Sequence, residues 1–171
     1  MRRPAGPGRK HRRRARVRAV LVCDVHGRVR HGGDPVSQAS FRPRPTDATG
    51  PYWDATRDRR LVLQWCLDCE AFVHHPREAC PRCLGQNLTW RESAGAGTVH
   101  ALSVHYRPFG AMSNEDCPYI VAFIDLDEGV RFLANLVEVK PEDAAVGDRV
   151  ELTWIPVAEG YHLPAFRPVR R

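Results

Sequence analysis

The sequence contains no apolar run long enough to cross a membrane as a helix. The longest uninterrupted run, Tyr119 to Ile124, has six residues, whereas a membrane-spanning helix needs about 20. An export signal is also missing, because the apolar stretch after the first arginines, Ala19 to Cys23, has only five residues and a signal peptide needs about 7–15. The same shortage argues against twin-arginine export. We therefore expect a cytoplasmic protein.

Several signatures of enzymes are missing as well. The sequence has no Ser-His-Asp pattern, no nucleophile elbow and no glycine-rich phosphate loop, which are the patterns that mark many hydrolases and nucleotide-binding enzymes. Cys117 and His105 are the one pair that could supply a nucleophile and a base, but nothing in the sequence brings them together. We interpret Cys117 as an inert thiol and expect a protein without a catalytic site.

Lysine is nearly absent, and the positive charge is concentrated at one end. The chain carries a net charge of +6, with 26 basic and 20 acidic residues. Residues 1–45 hold 13 of the bases and only two acids, for +11, and residues 46–171 hold 13 bases and 18 acids, for −5. A like-charged, apolar-poor segment of this kind is predicted to be a disordered arm.

Three interpretations of the arm over residues 1–45 remain open. It is a solvated tail, a product of a start codon assigned too early, or an arm that binds nucleic acid or another acidic partner. In the last case the binding would be independent of nucleotide sequence and strongly dependent on salt.

The clearest motif is a pair of C-x-x-C sequences, Cys66–Cys69 and Cys80–Cys83. Two such pairs can bring four thiolates into one tetrahedron, which zinc favours. With four sulfur ligands no position is left for water, so the predicted ion is structural and not catalytic. Disulfides, a redox C-x-x-C and a four-cysteine iron centre are the alternatives; disulfides require export, and a redox motif would be single. Residues 46–93 are thus predicted to form a helix and a zinc ribbon.

The residues around the cysteines also suggest local geometry. Pro81 and Gly85 fit a tight turn in which glycine takes a left-handed conformation. Glu70 stands in the first loop where glycine is more usual. His74 and His75 lie between the pairs, and we interpret them as exposed strand residues.

The hydrophobic pattern predicts one helix and then β-strands. The helix runs from about Gly50 to Arg59, with Thr49 as its cap and Trp53 packed on the ribbon. Residues 94–171 alternate as β-strands and fit a five-stranded OB-fold barrel. We expect Tyr119–Leu126 to be buried on both faces and the last, proline-containing strand to lie at an edge. The predicted strands are 61–65, 72–75, 87–92, 98–106, 119–126, 130–137, 149–155 and 162–169.

These motifs occur in an order that resembles a known family. They are Tyr52-Trp53, Leu-Val-Leu-Gln-x-Cys-x-x-Cys at 61–69, Cys-Pro-x-Cys at 80–83, Gly-Thr-Val at 97–99, Pro-Tyr-Ile-Val-Ala at 118–122, Leu-Asp-Glu-Gly-Val-Arg at 126–131, Asn-Leu at 135–136 and Leu-Pro-x-Phe-Arg-Pro at 163–168. The chain from about Phe41 to Val169 resembles the acyl-CoA-associated zinc-ribbon/OB-fold proteins, long catalogued as a domain of unknown function. The resemblance implies a mainly β fold: a short helix, a rubredoxin-like zinc ribbon and an OB-fold barrel.

The resemblance also implies a function. Members of that family typically lack catalytic residues and bind a thiolase-like condensing enzyme, sometimes with a hydratase subunit. They act as scaffolds that help to form or shield an acyl-CoA site on the partner. Acyl-CoA as a ligand would call for arginines beside an apolar slot. The candidate ligand- or partner-binding residues are Trp53, Arg107, Phe109, Arg131 and Arg167.

Two other functions compete with the scaffold hypothesis. OB-fold barrels bind single-stranded nucleic acid when aromatic side chains lie over a basic groove, but residues 46–171 are acidic overall. Binding to nucleic acid would then fall to the arm alone. A rubredoxin-like electron carrier is the third hypothesis, and it would need iron in place of zinc.

Overall fold

The structure, a computed structural model, describes residues 41–109, 112 and 114–169. The predicted arm lies outside these residues except for 41–45. The described part contains one α-helix and eight β-strands in two sheets. Within it, no helix combines the length and apolar character that crossing a membrane requires.

Helix α1 (Gly50–Arg57) begins next to a proline, as the sequence predicts. Thr49 occupies the N-cap position, but its side chain makes no capping bond to the helix. Its Oγ1 instead accepts a hydrogen bond from the Thr46 backbone N–H at 2.8 Å. The helix ends where Arg59 adopts a positive φ of 56°, the left-handed conformation that commonly ends a helix.

Three strands form the ribbon sheet, with β1 in the centre. All pairings are antiparallel, and both outer strands pair with the end of β1 that leads into the first cysteine loop. The sheet is therefore a small three-stranded unit that presents Cys66 at the end of its central strand. The strands are β1 (Val62–Cys66), β2 (Ala71–Val73) and β3 (Leu88–Glu92).

Five strands form a closed barrel in the order β4-β5-β6-β8-β7, which confirms the predicted OB-fold. Strand β4 is long enough to pair with β5 along most of its length and with β7 at its start, and this second pairing closes the barrel. A register shift between Val99 and Ala101 bends β4. The strands are β4 (Ala96–His105), β5 (Tyr119–Leu126), β6 (Arg131–Leu136), β7 (Arg149–Pro156) and β8 (His162–Pro168).

The prediction that the last strand lies at an edge is wrong. Strand β8 pairs with β7 over seven positions, and with β6 in parallel at Asn135–Ala165 and Leu136–Phe166 only. Pro164 and Pro168 flank this short contact, so their missing N–H groups remove no bond from the β6 side. Proline is thus compatible with an inner position because the parallel pairing is so brief.

The expectation that β5 is buried on both faces is also wrong. Its residues alternate, with Ile120, Ala122, Ile124 and Leu126 inside the barrel and the side chains between them partly or largely exposed. Phe123 on the outer face is 45% exposed. The apolar character of the outer face is therefore not explained by packing within the described part of the chain.

One hydrophobic core joins the two sheets. Leu61 and Leu63 from the ribbon side, together with Tyr52 of α1, belong to the same buried cluster as the barrel residues. The connection between β3 and β4 is held by Glu128 of the β5–β6 hairpin, which accepts hydrogen bonds at 2.7 Å from the Ser93 hydroxyl and the Ala94 N–H. Ribbon and barrel are thus packed against each other and bonded at their junction.

Gly97 on β4 provides a test of the barrel packing. A Cβ at this position would lie 2.7 Å from the Asp125 carbonyl oxygen and 2.7 Å from Ile124 Cγ2, so Gly97→Ala forces β4 and β5 apart. We expect a loss of about 2 kcal/mol in the free energy of unfolding. Gly50→Ala is the control, because a Cβ there meets nothing within 4 Å. Urea unfolding measures both, and equal stabilities would contradict the packing described.

Candidate functional site

The structure brings the four cysteines of the two C-x-x-C motifs together. Their Sγ atoms all lie within 4.8 Å of one another, with Cys66–Cys83 at 3.7 Å and Cys69–Cys80 at 3.9 Å. Four sulfurs about 2.3 Å from a zinc ion form a tetrahedron with edges of about 3.8 Å. The cluster therefore has the size of a four-thiolate zinc site, and all four ligands come from the chain itself.

Tight turns in the two cysteine loops allow the loops to lie close to each other. Leu84, and not the predicted Gly85, has a positive φ, of 62°, and Glu70 has a φ of 49° in the first loop. Gly85 is required for a different reason: a Cβ there would lie 2.9 Å from Asp68 Oδ2 and 3.3 Å from Cys83 Sγ. The Asn87 side chain then joins the loops by a 2.9 Å hydrogen bond to Asp68.

The pKa values of the cysteine thiols in the cluster are shifted by the backbone and thiol groups packed around them. Backbone N–H groups of Cys83 and Arg82 lower the pKa of Cys80 to about 7. In contrast, the neighbouring Cys83 thiol and burial raise the pKa of Cys69 to about 12. Four thiolates this close repel one another unless a cation lies among them, and a divalent ion removes that repulsion.

A second feature is a cleft of about 360 Å³ between α1, the segment after β2, and strands β6 to β8. Trp53 and Tyr52 line one side, and His74 and His75 line another. The mouth reaches Leu133 on the outer face of β6. None of the residues that line the cleft carries a carboxylate, an ammonium or a guanidinium group.

The expectation that His74 is an exposed strand residue is wrong. It follows β2, and its ring stacks on Phe132 with centroids 4.5 Å apart. The ring of His75 lies 4.1 Å away, tilted by 33°. Its Nδ1 atom is buried with no hydrogen-bond partner among the described residues. Burial, with smaller effects of His75 and Arg77, lowers the pKa of His74 to about 4, so the ring is neutral near pH 7.

Among the five candidate ligand- or partner-binding residues, only Trp53 lines the cleft. Its ring contacts Phe41, Tyr52 and Tyr161, and it packs against the core cluster that includes Leu61 and Leu63 from the ribbon side. Arg107 and Phe109 both lie exposed after β4, and Phe109 is 81% exposed.

The two remaining candidates, Arg131 and Arg167, are held by carboxylates on the barrel surface. Arg131 Nε donates to Asp125 Oδ1 at 2.7 Å, and Arg167 Nε donates to Glu151 at 2.9 Å. The Arg131 guanidinium in turn holds the pKa of Asp125 below its ordinary value. These arginines lie on different strands, and neither lines the cleft.

An exposed apolar surface on the barrel was not anticipated from the sequence. Phe123 and Leu133 are register partners on the outer face of β5 and β6 and are 45% and 49% exposed. Tyr106 and Phe109 at the end of β4 are also exposed. We call Phe123 and Leu133, on the outer face of β5 and β6, the outer apolar surface. The continuous apolar run in β5 was the available signal, and it was attributed to burial.

Two domain families match consecutive parts of the chain. Residues 53–89 match the ChsH2 rubredoxin-like zinc ribbon domain, and residues 90–154 match the ChsH2 C-terminal OB-fold domain. The boundary between the matches falls within β3. A solved structure described as an Ltp2-ChsH2(DUF35) aldolase contains a similar chain, with a TM-score of 0.67 and 35% identity over 74% of this chain and 98% of that one.

Two kinds of sequence relative are found. A probable enoyl-CoA hydratase alpha subunit of Thermomonospora curvata is 36% identical over 132 residues, which cover 75% of this chain but 40% of the relative. The chain thus spans about two fifths of the length of that relative. A DUF35 domain-containing scaffold protein of Methanocaldococcus jannaschii is 30% identical over 118 residues, which cover 60% of this chain and 82% of the relative.

Replacing one ligand tests the thiol cluster. In Cys80→Ser the fourth sulfur is lost, and we expect less than one zinc per chain together with an unfolded ribbon, because metal binding supplies on the order of 10 kcal/mol to units of this kind. Metal analysis and circular dichroism measure both effects. Cys117→Ser is the matched control, because Cys117 is not part of the cluster. A Cys80→Ser chain that stays folded and soluble without metal would show that the ion has no structural role.

His74 should make the protein sensitive to acid. Its pKa is about 4 in the folded state and about 6.5 when unfolded, so between these values the unfolded state binds more protons and stability falls as the pH falls. From pH 7 to pH 5 we expect the wild type to lose about 2 kcal/mol more than His74→Phe. Urea unfolding of the zinc-loaded chains at both pH values measures this, and identical losses would argue against a buried neutral His74.

Proposed function

Because the chain belongs to the DUF35 family of zinc-ribbon and OB-fold proteins, we propose that it is a non-catalytic accessory subunit of an acyl-CoA-processing enzyme. It binds a thiolase-like partner, with a hydratase subunit as a further partner, and helps to form or shield the acyl-CoA site. The observation that carries the proposal is the similarity to a chain of the Ltp2-ChsH2(DUF35) aldolase, a description that joins two proteins. The hydratase partner follows the description of the Thermomonospora relative.

Zinc has a structural role in this proposal. Cys66, Cys69, Cys80 and Cys83 would hold one ion with all four coordination positions filled by sulfur. The ion supplies folding energy to the ribbon and no Lewis acid for a substrate. The separate core of the ribbon supports this role, because it consists of only three buried residues, of which two are cysteines.

The hydrogen bonds of the described residues also support a non-catalytic function. None of them joins a histidine to a serine or threonine hydroxyl or to a cysteine thiol. His100 contacts Asp125 and Arg131, and His162 contacts the Thr56 carbonyl oxygen. His105 stacks on Tyr119 with centroids 4.8 Å apart. The part of the chain that the structure describes thus offers no activated nucleophile of the usual kind.

The outer apolar surface is the candidate face for the partner. Exposed aromatic and aliphatic side chains of this kind mark protein interfaces more often than free surface. The barrel around this surface carries charges that are already paired within the chain, such as Arg131 with Asp125 and Arg149 with Asp127 at 2.7 Å. A partner that covers the outer apolar surface therefore need not provide compensating charges of its own.

No observation favours the nucleic-acid hypothesis for the described residues. The barrel strands carry three arginines and no lysine, and each of the three is ion-paired with a carboxylate. Binding of phosphates would first have to break these pairs. The three ion-paired arginines are Arg131, Arg149 and Arg167.

Co-expression with the thiolase-like protein encoded by a neighbouring gene tests the proposal. We expect the two proteins to elute together from a size-exclusion column. Phe123→Asp should weaken the complex more than about tenfold, because a charge at the centre of an apolar interface must be desolvated. Val146→Asp is the matched control, since Val146 is also exposed, at 65%, but lies in the loop before β7.

Two results would count against this function. If the proteins elute separately at micromolar concentrations, the chain is not a subunit of that enzyme. If they elute together but Phe123→Asp and Val146→Asp bind equally well, the partner docks elsewhere than on the outer apolar surface. Thermal melting and zinc content of each variant verify that a loss of binding does not come from unfolding.

A further inference from the structure

The cleft between the helix, the ribbon and the barrel exists because the barrel wall is incompletely paired there. Strands β6 and β8 share only two paired positions, Asn135–Ala165 and Leu136–Phe166. Toward the start of β6 the two strands separate, and the space between them is bounded by Pro164 on one side and Ala134 on the other. Helix α1 and the segment after β2 complete the enclosure.

The walls of the cleft are largely apolar and carry no carboxylate, ammonium or guanidinium group. The aromatic residues Trp53, Tyr52 and Phe132 line the cleft, and Leu163 and Ile155 add aliphatic groups. The volume of about 360 Å³ lies within the range of about 300–1,000 Å³ that small-molecule sites occupy. Polar side chains, among them Thr49, His74 and Asn135, also line the cleft, and small-molecule sites combine apolar walls with such polar groups.

His74 keeps this surface uncharged near pH 7. Its ring stacks on Phe132 and lies next to the tilted ring of His75. Because its pKa is lowered to about 4, the ring carries one proton and is neutral at that pH. The groups that act on it electrostatically, His75 and Arg77, both disfavour protonation. The wall formed by His74 is therefore a flat neutral ring.

Building on the proposed function, we propose that this cleft binds the uncharged acyl end of an acyl thioester and leaves the charged nucleotide outside. Phosphates are excluded because no cationic side chain lines the cleft, and burying a phosphate without a cation is strongly unfavourable. The acyl chain is accepted because it transfers apolar surface from water to an apolar wall, worth roughly 0.8 kcal/mol for each CH₂ group that becomes buried.

The position of the cleft agrees with a role beside the partner enzyme. Leu133 both lines the cleft and belongs to the outer apolar surface, where it pairs with Phe123. A partner bound on that surface would thus border the mouth of the cleft. The acyl chain can lie in this subunit while the thioester and the nucleotide extend toward the partner.

The test compares three probes with the full-length zinc-loaded chain, alone and in complex with the partner. The probes are octanoyl-CoA, octanoyl-N-acetylcysteamine, which lacks the nucleotide, and free CoA, and titration calorimetry measures their binding. We expect the chain alone to bind both octanoyl compounds with dissociation constants within about threefold of each other, because both present the same acyl group. Free CoA should neither bind nor compete.

Asn135→Asp is the decisive variant. Asn135 lines the cleft, and replacing its amide by a carboxylate changes the charge with almost no change in shape. We expect at least about tenfold weaker binding of octanoyl-N-acetylcysteamine, because the acyl chain must then desolvate a charge. Gln86→Glu makes the same chemical change on the exposed part of the ribbon, outside the cleft, and should bind like the wild type.

The outcomes separate this inference from the proposed function. If octanoyl-N-acetylcysteamine fails to bind both the chain and the complex, if free CoA competes with it, or if Asn135→Asp binds it unchanged, the cleft is not an acyl site. Co-elution with the thiolase-like partner in those cases leaves the accessory function intact. If the partner does not bind but the two thioesters do, the acyl site stands and the proposed function fails.

Discussion

The coordination of four thiolates is the constraint on which the ribbon half of the molecule depends. Among the residues that the structure describes, Cys66, Val73 and Cys80 form the buried part of its separate core. Burial of three small side chains does not offset the ordering of two cysteine loops. Zinc in the tetrahedron would join the end of β1 to the loop before β3. The path of the chain through residues 66–83 therefore follows from the metal site more than from packing.

The metal site is connected to the cleft through the segment between β2 and Cys80. Gln64 of β1 fixes this segment by two hydrogen bonds to the backbone of Arg77, at 2.9 Å and 2.8 Å, and Cys80 anchors its far end. His74 and His75, which form one wall of the cleft, lie at its beginning. A zinc ion held by the cysteines, outside the cleft, can thus determine whether the wall formed by His74 and His75 has a defined position.

Much of this architecture was predictable from the sequence, because it rests on local patterns. Runs and alternation of apolar residues indicated all eight strands to within about two residues, and the spacing of the cysteines indicated the metal cluster. The contacts between distant segments were not predictable in the same way. Glu128 bonds Ser93 and Ala94 at the junction between the two sheets. No local pattern in the sequence encodes a partner 34 residues away.

The sequence also did not show what covers its apolar residues or what pairs with its charged ones, because both depend on contacts between distant segments. A run such as Tyr119–Leu126 shows that the outer face of a strand is apolar, but not which molecule covers it. Arg131 and Arg167 had the right chemistry for phosphates, but their strand neighbours, Asp125 and Glu151, neutralise them. Pairing across strands depends on register, which a single sequence specifies only weakly before the fold is known.

The distribution of charge and apolar surface over the barrel indicates how such a subunit can serve a partner. The arginines of its strands are ion-paired, and no carboxylate, ammonium or guanidinium group lines the cleft. The exposed side chains of Phe123 and Leu133 lie on the β5–β6 face, and Leu133 also lines the cleft. Under the proposed function, a subunit with this surface would contribute apolar area and leave charged chemistry to its partner. Since Leu133 is shared by the face and the cleft, docking of a partner there would exclude water from the mouth, and shielding of an acyl group would follow from the docking itself.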